Sequence, residues 1–163
     1  MKINKKIGWI GFVFCASLWG APYTDNGNGT VSDSATGLVW QKCTAVSGTT
    51  LGNCNTGTLL TYTWSNAISY CSNLTLGGRD DWRLPNINEL RSIVEYWGAS
   101  PSINTIVFPN TPNTNGSSFF WSSSTLAFGT KPAWFFNYGV TPGPGTGYSS
   151  KTDKYYVRCV TGP

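Results

Sequence analysis

The chain opens with an unbroken apolar run, Ile7 to Leu18, behind the basic stretch MKINKK, and small residues follow at Gly20 and Ala21. Basic start, apolar centre and small residues in that order predict a cleaved secretory signal over residues 1–20, because the run is too short to span a bilayer. Beyond it the pattern breaks into short, interrupted runs. Thr30–Ser32 and Leu38–Gln41 have strand composition and adjoin the turn sequences DNGNG and DSATG, which predicts a meander of short antiparallel strands. Trp64, Ala67, Ile68, Cys71 and Leu74 then recur at helical spacing, with Thr63 as a capping residue and Gly77-Gly78 as the stop. Pro85 forces the chain out of helix before Asn86, which caps a second helix. Glu89 lies three residues on and completes an Asn-x-x-Glu capping box. Ile87, Leu90, Val94 and Trp97 mark the buried face of that helix, with Ile93 beside them, and Gly98 ends it.

From residue 99 to 118 the sequence is rich in Pro and Asn and loses its periodicity, so it reads as a long loop anchored at Ile106-Val107-Phe108. FFWSSST (119–125), AWFFNYG (133–139) and YYVRCV (155–160) read as late strands, and TPGPGTGYSSKTD (141–153) as a flexible connection. There is no internal repeat and no sign of a second domain. Residues 21–163 are expected to form one domain, long enough to bury a sizeable core.

Charge and cysteine narrow the picture. The formal charge of +4 includes Lys2, Lys5 and Lys6, so the chain after the signal carries only +1. Such a near-neutral domain has no field suited to nucleic acid or an anionic membrane, and no later apolar run is long enough to span one. Cys43, Cys54, Cys71 and Cys159 remain after the signal, an even number that in an exported protein points to two disulfides with three pairings to choose from. Cys43 and Cys54 flank a Gly/Thr/Asn-rich segment that needs a staple, which favours Cys43–Cys54 and Cys71–Cys159. Cys15 offers a lipidated alternative to the cleaved signal, but Val13-Phe14 stand where a lipoprotein signal wants small residues.

The chemistry that these residues exclude is broad. With no histidine, the commonest general base and the commonest metal ligand are both missing. The serines of FWSSST lack a base, so no nucleophile–base pair can be named. DNGNG lacks the alternating ligands and closing Glu of an EF-hand, and is a turn. Asp80 and Asp81 are adjacent on a turn, whereas catalytic carboxylates converge from separate elements. They are expected instead to pair with Arg79, Arg83 or Arg91 and tie the turn to the second helix. No metal ligand set and no cofactor are expected, although the sequence leaves room for a structural calcium.

The order DNGNGTVSDSATGLVWQ, W-S-x-A-x-x-Y-C, DWRLPNINELRSIV, FP, WSSST, AWFFNYG and YVRCV resembles a family of exported bacterial domains. The family is the C-terminal domain of the Legionella collagen-like adhesin, and the resemblance runs through essentially the whole chain after the signal. It implies an α+β, C-type lectin-like fold: two helices packed on a twisted antiparallel sheet, a long loop region and termini brought together. In related folds the Trp-Arg-Leu-Pro turn leads into the second helix and buries its aromatic ring beneath it. The calcium-dependent sugar site of such lectins needs a Trp-Asn-Asp triplet that this chain lacks.

The resemblance implies a non-enzymatic extracytoplasmic binding module, a lectin-like adhesin or surface receptor. Its ligand is expected to be a glycan, sulphated glycosaminoglycans being among the family's ligands, or a protein. Two alternatives are a receptor diversified by a retroelement in its C-terminal stretch, and a structural surface or pilus component that forms homo-oligomers. Formylglycine-generating enzymes share the lectin-like fold but need reactive cysteines. The chain has eight each of Trp, Tyr and Phe. Trp40, Trp64, Trp82 and Trp97 sit where core is expected. Alternation in half-buried strands sends about half of the late aromatics outward, and Tyr and Trp among Ser, Gly and Asn make an adaptable binding surface. The candidate ligand-binding residues are therefore Trp121, Lys131, Trp134, Phe136, Tyr138, Tyr148, Lys151 and Lys154, with Arg158 as a further member of the basic patch.

Overall fold

The computed structural model describes residues 22–47, 54, 57–96, 100–127, 131–139 and 143–162. The predicted signal, Cys15, Trp97 and Gly98 lie outside the described residues. Strands β1 (Tyr23–Asp25), β2 (Thr30–Asp33), β3 (Val39–Gln41) and β7 (Val160–Thr161) form one antiparallel sheet in the order β1-β2-β3-β7. Strands β4 (Phe119–Thr125), β5 (Pro132–Asn137) and β6 (Gly145–Ser150) form a second, in the order β4-β5-β6. With helices α1 (Trp64–Ser72) and α2 (Ile87–Ser92) this is an α+β fold, in which two small sheets replace the single expected one. The segment before β7 links them. Tyr155 bridges to Tyr62, Tyr156 bridges in parallel to Phe120, and Val160 then pairs with Trp40.

The turn chemistry works as its residues require. The Gly27 N–H donates to Asp25 Oδ1 at 3.0 Å, and Gly27 and Gly29 take left-handed φ of 72° and 84°. Asp25 Oδ2 is also held by Lys42 at 2.6 Å, which commits the carboxylate to the turn. The next turn is fastened by Asp33, which accepts from the Ala35 N–H and the Thr36 hydroxyl.

Both helices end earlier than their periodicity predicts. α1 stops at Ser72, and Gly77-Gly78 instead form a tight turn between the bridged residues Leu76 and Arg79. α2 stops at Ser92, because Val94 leaves the helix to bridge Ile103 of the long loop. Tertiary pairing here outcompetes local helical spacing. The region read as a flexible connection also contains β6, whose six residues pair along the whole of β5. GTGYSS has weak strand propensity, and it is the neighbouring strand that extends it.

The stretch DDWRLPN is a structural corner. Trp82 is buried, and its Nε1–H is shared between the carbonyls of Leu76 and Arg79, each at 3.2 Å. Arg83 bridges Val160 through its backbone and grips Glu89 with two bonds of 2.8 and 2.7 Å. Thus the turn is tied to α2 by Arg83 and Glu89. The aspartates do not reach the helix: Asp81 pairs with Arg79, which also donates to Thr161. The bonds from Arg79 lower the Asp81 pKa to about 2. Glu89 also accepts the Asn86 N–H at 2.7 Å, completing the capping box that the sequence predicts.

Burial alone raises the Glu89 pKa, but the bonds from Arg83 and the Asn86 N–H outweigh it and leave a net lowering. A folded value below the unfolded one means that the stabilisation is present above the ordinary value of 4.5 and is lost as pH falls through the folded value. Glu89→Gln is therefore expected to cost about 1–2 kcal/mol at pH 7, discounted for the half-exposed Arg83. Urea unfolding at pH 7 and pH 3 checks this, and the gap between variant and wild type should narrow at pH 3.

Two hydrophobic clusters flank the second sheet. Phe120 and Phe136 face one with Trp40, Leu90, Phe108 and Tyr138, while Trp121 and Ala133 face the other with Ala67, Cys71 and Trp82. Strands covered on both faces need continuous rather than alternating apolar runs, and FFW and AWFF are such runs.

Candidate functional site

The late aromatics divide by the face and end of the sheet on which they fall. Three of the candidate ligand residues are core. Trp121 is fully buried, and its Nε1–H donates to the Tyr62 carbonyl at 2.8 Å. Phe136 is buried against Tyr138, with ring centroids 4.8 Å apart. The Tyr138 hydroxyl donates to the Leu90 carbonyl at 2.6 Å, and burial keeps that phenol protonated far into the alkaline range. These three cannot contact a ligand from solvent. The expected alternation fails because α2 covers one face of β4 and β5, while α1 and the segment before β7 cover the other.

Trp134 and Tyr148 lie near the open end of the β5–β6 hairpin, and the backbones of Lys131 and Lys151 close that end, with the Lys151 side chain directed to Trp64 rather than to the aromatic pair. Trp134 pairs across the strands with Tyr148, their rings edge to face at 5.9 Å, and Tyr148 is 61% exposed. Pro132 and Ser150 form the last cross-strand pair, and just beyond it the Lys151 N–H donates to the Lys131 carbonyl at 2.9 Å. The Lys151 ammonium sits 4.2 Å above the Trp64 ring, a cation–π contact that fixes its direction. Trp64 is itself pinned by its Nε1–H on the Ser122 carbonyl at 2.8 Å. Lys154 lies exposed in the following turn, where the Ser149 hydroxyl holds Asp153. Arg158 does not join this patch: it is 1% exposed and lies over the Phe108 ring in the core.

The hairpin thus presents the Trp134–Tyr148 aromatic pair, with β6 as the free edge among the described strands. Beside it, on the opposite face of the same hairpin, a slot of about 190 Å³ is lined by Phe119, Phe135 and the glycines 143, 145 and 147. A Cβ on Gly147 would come within 2.4 Å of the Phe135 ring, so only glycine lets that ring lie across the strand. The period-two glycines of GPGTG were the signal for this slot, but they read equally well as linker.

A larger cleft than this slot lies elsewhere. An open cleft of about 390 Å³ runs along α1 between Tyr62, Tyr70, Asn66 and Asn73. The helical spacing identifies the buried face of α1 from its apolar positions and says nothing of its polar face. Asn66, Tyr70 and Asn73 at i, i+4 and i+7 share one stripe, which is the signal passed over.

The fold and surface define a disulfide-braced α+β module of extracytoplasmic type. Cys43–Cys54 and Cys71–Cys159 are the pairs formed, as favoured from the sequence, and structural disulfides belong to oxidising compartments. No helix among the described residues is long and apolar enough to cross a membrane. A family model described as the Lcl C-terminal domain matches residues 29–161, and the chain belongs to that family. A search of curated proteins finds no match.

Proposed function

We propose that this protein is a non-enzymatic, lectin-like binding module of the adhesin type. Its ligand surface is the open end of the β5–β6 hairpin, and its ligand is an acidic or sulphated glycan at the cell surface or in the periplasm. The observation that carries the reading is Tyr148, solvent-exposed yet held edge-on against Trp134, beside the paired backbones of Lys131 and Lys151. An exposed aromatic pair presents a rigid apolar platform at small entropic cost. Lysines at its end supply attraction for sulphate or carboxylate groups. Family membership favours an adhesin-like role. Binding rather than catalysis is favoured because the chain has no histidine and Cys43, Cys54, Cys71 and Cys159 are consumed in disulfides. The reading invokes no cofactor.

The test is binding of the oxidised protein to an array of glycans and glycosaminoglycans, with and without a calcium chelator. Trp134→Ala combined with Tyr148→Ala is expected to weaken the best acidic ligand at least tenfold, about 1.4 kcal/mol, as central aromatic truncations do. Lys131→Gln with Lys151→Gln should weaken it less and flatten its salt dependence. Unchanged binding in the aromatic double variant, with its circular dichroism intact, would overturn the assignment.

A further inference from the structure

The α1 cleft has a chemistry unlike that of the hairpin. No charged residue is among those lining it, and its floor and walls are phenols, amides and hydroxyls. Tyr62 and Tyr70 stand with ring centroids 5.1 Å apart and planes tilted by 31°, so they pack on one another, and the outward side of this pair is the cleft's aromatic wall.

The hydrogen bonds behind that wall determine what it offers. The Cys159 N–H donates to Gln41 Oε1 at 3.0 Å, which fixes the orientation of the buried Gln41 amide. Gln41 Nε2 must then donate to the Tyr70 oxygen, at 2.9 Å. The phenol oxygen is thus an acceptor on its protein side, and its own hydrogen remains for a group outside. Tyr70 is two-sided: it is buried where Gln41 holds it and borders the cleft on the other side.

Along the same helix face, Asn66 and Asn73 are exposed and lie two turns apart, about 10 Å along the axis. Each amide carries both a donor and an acceptor. Between them the Ser69 hydroxyl donates to the Ser65 carbonyl at 3.1 Å, leaving its lone pairs to accept. Leu74 adds an apolar edge.

An aromatic wall flanked by amides suits a molecule with one apolar C–H face and a rim of hydroxyls that both donate and accept. That is an uncharged sugar ring. An acidic or sulphated chain would meet amide and phenol oxygens here without any cation to offset them. We infer that the α1 cleft is a second ligand site, separate from the hairpin, and that it takes a neutral saccharide. The Tyr62–Tyr70 pair offers its outward aromatic side to the ring, while Asn66, Asn73 and the Tyr70 hydroxyl read its hydroxyl groups.

The experiment is calorimetric titration of the oxidised protein with neutral oligomers of glucose, N-acetylglucosamine, mannose and galactose. Heparin serves as the charged comparison. At least one neutral series should bind, with an affinity unchanged between low and high salt. Asn66→Ala combined with Asn73→Ala, at exposed positions whose side chains make no hydrogen bond among the described residues, should weaken it about tenfold, with circular dichroism checking that α1 and its Asn73 cap are kept. Tyr70→Phe, which keeps the ring and removes only the hydroxyl, should weaken it about fivefold. Trp134→Ala with Tyr148→Ala should leave it unchanged, so failure of the hairpin assignment and failure of this one are read separately. Silence toward all four series would overturn the inference, as would neutral binding unaffected by the asparagine pair or abolished by the hairpin pair.

Discussion

Arg158→Ala is expected to remove a large part of the protein's stability, on the order of 4–5 kcal/mol, against the roughly 5–15 kcal/mol typical of a whole domain. Arg158 is almost completely buried, and among the described residues no carboxylate pairs with it. Its charge is instead spread over neutral acceptors and aromatic faces. Nη1 donates to the Lys42 carbonyl at 2.8 Å, and Nη2 donates to the hydroxyls of Thr44 and Thr111 at 3.0 and 2.9 Å. The guanidinium also lies 4.7 Å from the Phe108 ring centre and 5.8 Å from that of Phe120. Burial lowers its pKa to about 9, which still leaves it protonated at neutral pH.

One side chain therefore joins the residues after β3, the long loop and the segment before β7. Alanine would deprive the part-buried Lys42 carbonyl and the buried Thr44 hydroxyl of their donor, and open a cavity beside Phe108. Arg158→Met separates the contributions. It keeps much of the volume and abolishes the cost of burying a charge, so it is expected to lose about half as much. Urea midpoints of the two variants check this, and an alanine variant within about 1 kcal/mol of wild type would show that the loops hold without the arginine.

Removing the Cys71–Cys159 bridge, as Cys71→Ala with Cys159→Ala, is expected to cost about 4.5 kcal/mol. The bridge closes a loop spanning 88 residues and joins α1 to the segment before β7, with both cysteines fully buried. Cys43–Cys54 spans 11 residues, and the same chain-entropy argument gives about 3 kcal/mol for its loss. The order of the two effects is the sharper test. Calorimetric scans of the two alanine pairs should show the larger drop in Tm for Cys71 and Cys159, and a reversed order would mean that residual structure in the unfolded chain already brings α1 and the C-terminal strand together.

Both predictions concern the segment before β7, and it is there that sequence and structure contribute differently. YYVRCV reads as a strand, of which only Val160 enters a regular strand while Tyr155 and Tyr156 form isolated bridges, and Cys159 reads as a disulfide partner because cysteine parity is countable. The same stretch shows an arginine that composition places on a basic patch, whereas folding puts it in the core. Nothing within a few residues of Arg158 announces Lys42, Thr44 or Thr111, which lie far away along the chain.

The same division runs through the candidate sites. Trp134 is legible as a strand aromatic, but Tyr148 falls in a stretch that reads as a flexible connection, and nothing in the sequence shows that the two face each other. Trp121, Phe136 and Tyr138 carry the same composition and are core, because helices and the C-terminal segment cover their part of the sheet. The polar stripe of α1 is plain in the helical spacing, but only the packing of Tyr62 against Tyr70 turns it into a cleft.

By itself, then, the sequence determined what short-range physics controls. It specified the asparagine and glutamate of the α2 capping box, the glycine and aspartate turns, strands β4 and β5, the core positions of Trp40 and Trp82, and the disulfide pairs it favoured. Tertiary structure alone decided where α1 and α2 stop, that β6 is a strand, which aromatics meet solvent, and that Arg158 is buried. Each of those outcomes depends on a partner distant in sequence, and contacts of that kind are formed by the folded chain as a whole.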